Sequence, residues 1–325
     1  MILPLLMCVK ALAFSFMFQP AFGTSFAVCV IGETRTLRHP LVYRSFKTKF
    51  LSQLPGTVDL YFVVQSALDN ATVEAMHELG AKQITLFDVP EYKPACSDPL
   101  FHTHHAKTFY GISVRLSSCV ASVESREKTL NIRYDYFVRV RPDMLFYPDA
   151  SSWLHTNEQA IFVGYYLPVS ECSKYYVSND FFAIVPRVFL HRYNKLSNVL
   201  SSCNLSATDV FNAACHICAE VAPECFLSLF LLTEELPYFG CFPQFQVGKK
   251  KYSGLWTLTS EILVDDKQEL WDRHHSELAK SVLDGSIDLR PPAPVCKFVP
   301  AQSNVLTKGV LTHIRQRVRN LWTKA

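Results

Sequence analysis

The first ninety or so residues constrain the fold most, because continuous apolar runs alternate there with helical spacing. Phe26-Ala-Val-Cys-Val-Ile31 is wholly apolar and closes at Gly32. A short run of this kind reads as a strand buried on both faces. Val58 to Gln65 reads as a second buried strand, and Gln83 to Phe87 as a third strand. Leu41 to Leu54 has helix-like spacing and ends near Pro55-Gly56, and Ala71 to Leu79 is a second helix closed by Gly80. The order β-α-β-α-β predicts an α/β fold, with a mostly parallel, doubly wound sheet and helices on both faces.

Further elements follow a Pro-punctuated stretch containing Pro90, Pro94 and Pro99. A long helix is predicted from about Ala106 to Asn131, and a fourth strand over Tyr136 to Val140. Pro142 has no amide hydrogen to give a ladder, so it belongs at a strand end or edge. Strands are predicted over Ala160–Tyr166 and Asn179–Val185, helices over Phe189–Leu200 and Pro223–Leu236. The basic tail, Thr307–Ala325, has amphipathic helical spacing. The domain reading is a leader over 1–23, one α/β domain over 24–300 and a basic helix over 301–325.

Met1 to Phe18 is almost wholly apolar, interrupted by Lys10, and Ala21-Phe22-Gly23 places small residues at −3 and −1 of a cut after Gly23. The expectation is a signal peptide; a retained signal anchor is the alternative. Of eleven cysteines, ten remain after such a cut, enough for up to five disulfides in an oxidising compartment. Cys29, inside an apolar strand, reads equally well as a buried thiol. Asn70-Ala-Thr72 and Asn204-Leu-Ser206 are glycosylation sequons. A net charge of +3 and the lack of a Lys/Arg stripe with interleaved aromatics exclude a nucleic-acid groove.

Open α/β sheets bind ligands beyond the carboxyl ends of their strands. Three polar clusters fall at such ends. Gly32-Glu-Thr-Arg35 follows the first strand: glycine permits close backbone approach, and Arg35 suits a phosphate. In Arg139-Val-Arg141-Pro-Asp143, alternation puts both arginines on one face and Asp143 just past the strand. A carboxylate there suits Mg²⁺ or Mn²⁺ shared with substrate phosphates, and a structural Arg–Asp pair is the alternative. Asn179-Asp180 opens a later strand, where a turn or cap role competes with a catalytic one.

The order of these segments resembles GT-A-type glycosyltransferase-like proteins over roughly residues 25 to 250. The segments that carry the resemblance are GETR after the first strand, YDYFVRVRPDMLF after a long helix, NDFFAIVPR, and PECFLSLFLL. It implies a single nucleotide-diphospho-sugar-binding domain of the secretory pathway, in the Golgi or endoplasmic reticulum lumen or secreted. The partners implied are a nucleotide-sugar donor and a glycan or glycoprotein acceptor. Gly32, Arg35, Arg139 and Arg141 are then expected at the nucleotide sugar, and Asp143 at a Mn²⁺ or Mg²⁺ ion. Asp180 or Glu224 is expected as general base. The sequence departs from the family's Asp-x-Asp pattern, since Arg141 stands at the first acidic position. Either one carboxylate binds the metal with another ligand, or a cationic side chain takes the metal's role. A non-catalytic glycan- or protein-binding member of the same fold is the alternative function.

Other signals have simpler readings. His102, His104 and His105 read as a surface cluster, and Cys215 and Cys218 as disulfide cysteines whose pairing the sequence leaves open. Asp265-Asp266 reads as a solvated cap, and no Gly-x-Ser-x-Gly elbow is present. Membrane association is expected through the N-terminus alone.

Overall fold

The computed structural model describes residues 23–34, 36–38, 40–146, 156, 158–165, 178–204, 223–242, 244–247, 250–253, 256–257 and 295–299. Residues 1–22, Arg35, Cys172, Cys215, Cys218, Asp265-Asp266 and residues 300–325 lie outside these residues.

In chain order the elements are β1 (Ser25–Gly32), α1 (Pro40–Ser45), β2 (Thr57–Val64), α2 (Asn70–Glu78), β3 (Ala81–Leu86), α3 (His104–Leu130), β4 (Tyr136–Val140) and the two-residue β5 (Met144–Leu145). Then come β6 (Ile161–Tyr165), β7 (Ser178–Pro186), α4 (Arg187–Tyr193), α5 (Leu196–Ser201), α6 (Pro223–Thr233) and β8 (Tyr238–Phe242). Short strands β9 (Gln244–Val247), β10 (Lys250–Ser253), β11 (Trp256–Thr257) and β12 (Val295–Val299) follow. The main sheet has eight strands in the order β12-β8-β6-β7-β4-β1-β2-β3. β3, β2, β1 and β4 are mutually parallel, and β7 runs against β4 and β6. β8 is parallel to β6, and β12 is antiparallel to β8. Only β7 and β12 therefore oppose the common direction, and the predicted α/β, mostly parallel sheet is what forms.

Strand alternation divides the core into two layers. Ala27, Cys29 and Ile31 of β1, with Phe137 of β4 and Ala183 of β7, pack with α3, α4, α5 and α6. Val28 and Val30, with Phe62, Val138 and Phe182, pack on the other side with Phe46, Phe50 and Met76. Burying each such side chain contributes roughly 1.5–3 kcal/mol, which makes the two-sided packing of β1 a principal source of stability. Cys29 is not a free thiol: it is joined to Cys119 of α3, and Cys96 is joined to Cys203.

Two predicted helices differ in detail. The segment expected as one helix over Leu41–Leu54 is α-helical to Ser45, π-helical over Phe46–Phe50 and 3₁₀ over Leu51–Gln53. Ser45, Thr48 and Ser52 each donate a hydroxyl hydrogen to a carbonyl of the preceding turn. Such back-bonds compete with the regular helical ladder. The helix expected over Phe189–Leu200 is two helices, broken at Asn194-Lys195, where Lys195 N–H bonds the Arg192 carbonyl in a tighter turn.

The amino-terminal end of the sheet is closed by polar groups. The Asp135 carboxylate accepts from the Ser25 amide at 2.8 Å and the Ser25 hydroxyl at 2.9 Å. Glu127 near the end of α3 accepts from the Tyr134 amide at 3.0 Å and, through both oxygens, from Arg187 at 3.1 and 2.8 Å. Tyr134 donates to Asp59 at 2.5 Å and stands 2.9 Å from the Tyr61 hydroxyl. Burial, then the bond to Asp59, raises the Tyr134 pKa well above the ordinary phenol range. Glu127→Ala leaves the Tyr134 amide without this acceptor and Arg187 with only the longer Glu124 contact at 3.5 Å, so a loss of about 3 kcal/mol is expected in urea unfolding. The Cys29→Ala/Cys119→Ala variant, which opens a covalent loop of 90 residues, should lose about 4 kcal/mol in the same assay.

Candidate functional site

The chain enters the sheet at β1, builds outward through β2 and β3, and returns to the other side of β1 as β4. The strand order therefore reverses between β1 and β4, and a crevice opens beyond their carboxyl ends. A cavity of about 660 Å³ lies there, between the ends of β1–β3 and the first half of α3. Gly32, Arg141, Arg115, Lys107, Asp88 and Tyr92 are among the residues that line it. That volume suits a small organic ligand.

Gly32 has φ +136°, a value that side-chain-bearing residues rarely adopt, and a Cβ there would stand 3.3 Å from Pro142 Cδ. The glycine thus lets the loop after β1 close on the loop after β4. That first loop is tied sideways to the end of β2. The Thr34 amide donates to Gln65 Oε1 at 3.0 Å, and Gln65 Nε2 donates to the Thr34 hydroxyl at 2.7 Å. The loop after β4 is also held from beyond. The Phe146 amide donates to Ser45 Oγ at 3.1 Å, and its ring stacks on Phe50 with centroids 4.9 Å apart.

Within that loop Arg141 and Asp143 form a two-pronged ion pair, Nε to Oδ1 at 2.8 Å and Nη2 to Oδ2 at 2.5 Å. The Asp143 side chain is wholly buried and that of Arg141 one-fifth exposed. The arrangement fixes the guanidinium plane at the cavity wall. Arg139 sits two residues deeper on the same face, beside Cys29 of β1 and Ala183 of β7. It is 1% exposed, none of its three guanidinium nitrogens is hydrogen-bonded, and it is not on the cavity wall.

Sequence reasoning did not single out Arg115. It lies on α3 one turn before Cys119, so the disulfide that clamps α3 to β1 also sets its height over the sheet. Burial lowers its pKa, Glu33 and Asp88 act against that, and its Nε has no hydrogen-bond partner. The available signal was the spacing Gly111, Arg115, Cys119 along one helical face. Tyr92 and Tyr110 meet with ring centroids 4.7 Å apart at the same wall, and burial pushes the Tyr92 phenol up to about 12.

The two expected bases are placed by backbone alone. Because Phe182 pairs with Val140, the start of β7 that carries Asp180 lies at the same sheet end as Arg141. Phe226 of α6 stacks on Phe109 near the start of α3, so Glu224 also begins its helix at this end. Their side chains, like Arg35, fall outside the described structure. Tyr134 and Asp135 belong to the opposite end, where they close the sheet.

No protein-family model and no curated protein matches the chain. Among solved structures it is similar to mouse xyloside xylosyltransferase 1, at 12% identity over 65% of this chain and 82% of that one, with a TM-score of 0.33. It is similar to the mannosyltransferase Ktr4p of S. cerevisiae at 12% identity, over 61% and 70% of the two chains, with a TM-score of 0.33. The galactosyltransferase LgtC follows at 11%, over 59% and 70%, with a TM-score of 0.31. At these scores the functional reading rests on the chain's own residues.

Gly32→Ala should cost about 2 kcal/mol through the unfavourable φ and the Pro142 contact, measured by thermal unfolding.

Proposed function

We propose that this protein transfers a sugar from a nucleoside-diphosphate sugar to a hydroxyl of a glycan or glycoprotein, on a GT-A-type domain. The observation that carries the reading is the cavity at the β1/β4 reversal, where Gly32, Arg115 and Arg141 meet. A phosphate ester suits close backbone approach and cationic N–H donors, and Gly32, Arg115 and Arg141 line the same cavity. In the transfer, the acceptor oxygen bonds the anomeric carbon. The bond from that carbon to the terminal phosphate oxygen breaks, and its electron pair leaves with the nucleoside diphosphate. The acceptor proton passes to a carboxylate, for which Asp180 and Glu224 are the candidates.

The developing charge on the diphosphate must be met by cations. The sequence offers two sources, a Mn²⁺ or Mg²⁺ ion at Asp143 or the arginines themselves. A luminal or secreted location accords with the two disulfides, which persist in oxidising compartments. No helix among the described residues is long and apolar enough to cross a membrane. Asn70 and Asn204, the two sequon asparagines, are both exposed, as glycan attachment requires.

The test is a screen of the purified protein for release of nucleoside diphosphate from common nucleotide sugars, with and without acceptors. Turnover is expected, and Asp180→Asn or Glu224→Gln, whichever removes the base, should lower kcat by about 10²–10⁴-fold with unchanged thermal unfolding. Nucleotide binding without turnover would identify the non-catalytic alternative. Absence of both in well-folded protein would overturn the reading.

A further inference from the structure

Resting on the nucleotide-sugar reading above, we propose that the donor diphosphate is neutralised by Arg141 and Arg115, with Arg139 as a buried background charge, and not by a divalent cation. Mg²⁺ and Mn²⁺ take several oxygen ligands at close range, usually from carboxylates shared with phosphate. The donor set here does not fit. Both oxygens of the wholly buried Asp143 are engaged by Arg141, at 2.8 and 2.5 Å. Among the described residues no group of three or more His, Cys, Asp or Glu side chains is placed to hold a metal. Freeing Asp143 for a metal would turn away a guanidinium whose plane it holds, and bring a second positive charge beside it.

The same geometry suits an anion bound directly. Arg141 reaches the cavity with its orientation set by Asp143, which acts as a positioning residue. Arg115 lines the same cavity from α3, and its buried Nε has no hydrogen-bond partner among the described residues. Glu33 and Asp88 are the acids that offset it, and Asp88 already accepts from the Ser66 hydroxyl. Arg139 adds a charge that no described carboxylate neutralises. It lies two strand residues below Arg141, about 7 Å along the sheet. An uncompensated cation in a low-dielectric layer projects positive potential toward the open end of the strand. Replacing Arg141, which stands at the first acidic position, by an acid would therefore remove binding capacity instead of restoring a metal site.

Calorimetric titration of the full-length folded protein with uridine and guanosine diphosphates, and with inorganic pyrophosphate, tests this in EDTA and in Mn²⁺. Affinity for the bound diphosphate is expected to agree within about threefold between the two conditions. Arg115→Gln should weaken it about tenfold, the scale of one charge-assisted contact. Arg139→Met, which keeps the volume and removes the buried charge, should weaken it about threefold or more with thermal stability retained or raised. Binding that appears only with Mn²⁺, or that Arg115→Gln leaves unchanged, overturns the proposal while sparing the function reading. No binding of any diphosphate in either condition overturns both.

Discussion

The parallel pairing of β1 with β4 is the constraint on which the rest of the molecule depends. It joins residues about 110 positions apart, with Phe26 beside Tyr136 and Val30 beside Val140. Closing so long an excursion costs conformational entropy, and nothing local returns it. The return comes from several sources spaced along one strand pair. Asp135 grips Ser25 at the lower end, the inward side chains of β1 are wholly buried in the middle, and Gly32 touches Pro142 at the upper end. The Cys29–Cys119 bond adds a covalent tie from the same strand to the helix that spans the excursion. Once β1 and β4 are aligned, the reversal of strand order is settled, and with it the position of the cavity.

Much of this was legible because burial on both faces leaves a strong trace. A strand packed by helices above and below is apolar on both faces, so Phe26–Ile31 and Leu60–Val64 stand out from their surroundings. Capping and turn residues mark the ends: Asp69 accepts from the Thr72 amide at the start of α2, and Asn131 takes the left-handed conformation after α3. The π-helical turn at Phe46–Phe50 left no such trace, since its residues keep ordinary helical spacing and the departure comes from hydroxyl back-bonds. The strands after Leu236 were also missed. They are short, and only β9 with β10 forms a local hairpin-like pair among the described residues, so they lack the run length that identifies β1.

The candidate site was legible in part, for a different reason. Period-2 alternation reads Arg139 and Arg141 onto one face, yet alternation says nothing of depth. One arginine ends at the wall of a cavity and the other beneath it, wholly buried. Arg115 was invisible because its relevance depends on a contact between elements far apart in sequence. A helix such as α3 has many charged residues, and only its docking by Cys119 distinguishes the one that faces the sheet end.

Tyr134 to Phe146 reads as one continuous motif in the sequence, but its two ends do unlike work. Tyr134 and Asp135 sit among Glu127, Asp59, Arg187 and Ser25, in a network whose donors and acceptors are matched by named partners within the fold. Such a network gains stability by being complete, and a ligand there would have to displace an existing bond. Arg141 and Asp143 are also paired, but the pair is fixed by residues on both sides that are not themselves part of the cavity, β4 before it and the Phe146–Phe50 stack after it. The loop therefore holds its charge in place without consuming the cavity's capacity to bind. Buried Arg139 lies between the two ends, a cation without a hydrogen-bond partner among the described residues, where an apolar side chain would cost less to bury. Its place two residues below the open end of β4 sets a positive charge beneath the cavity, which favours an anion there.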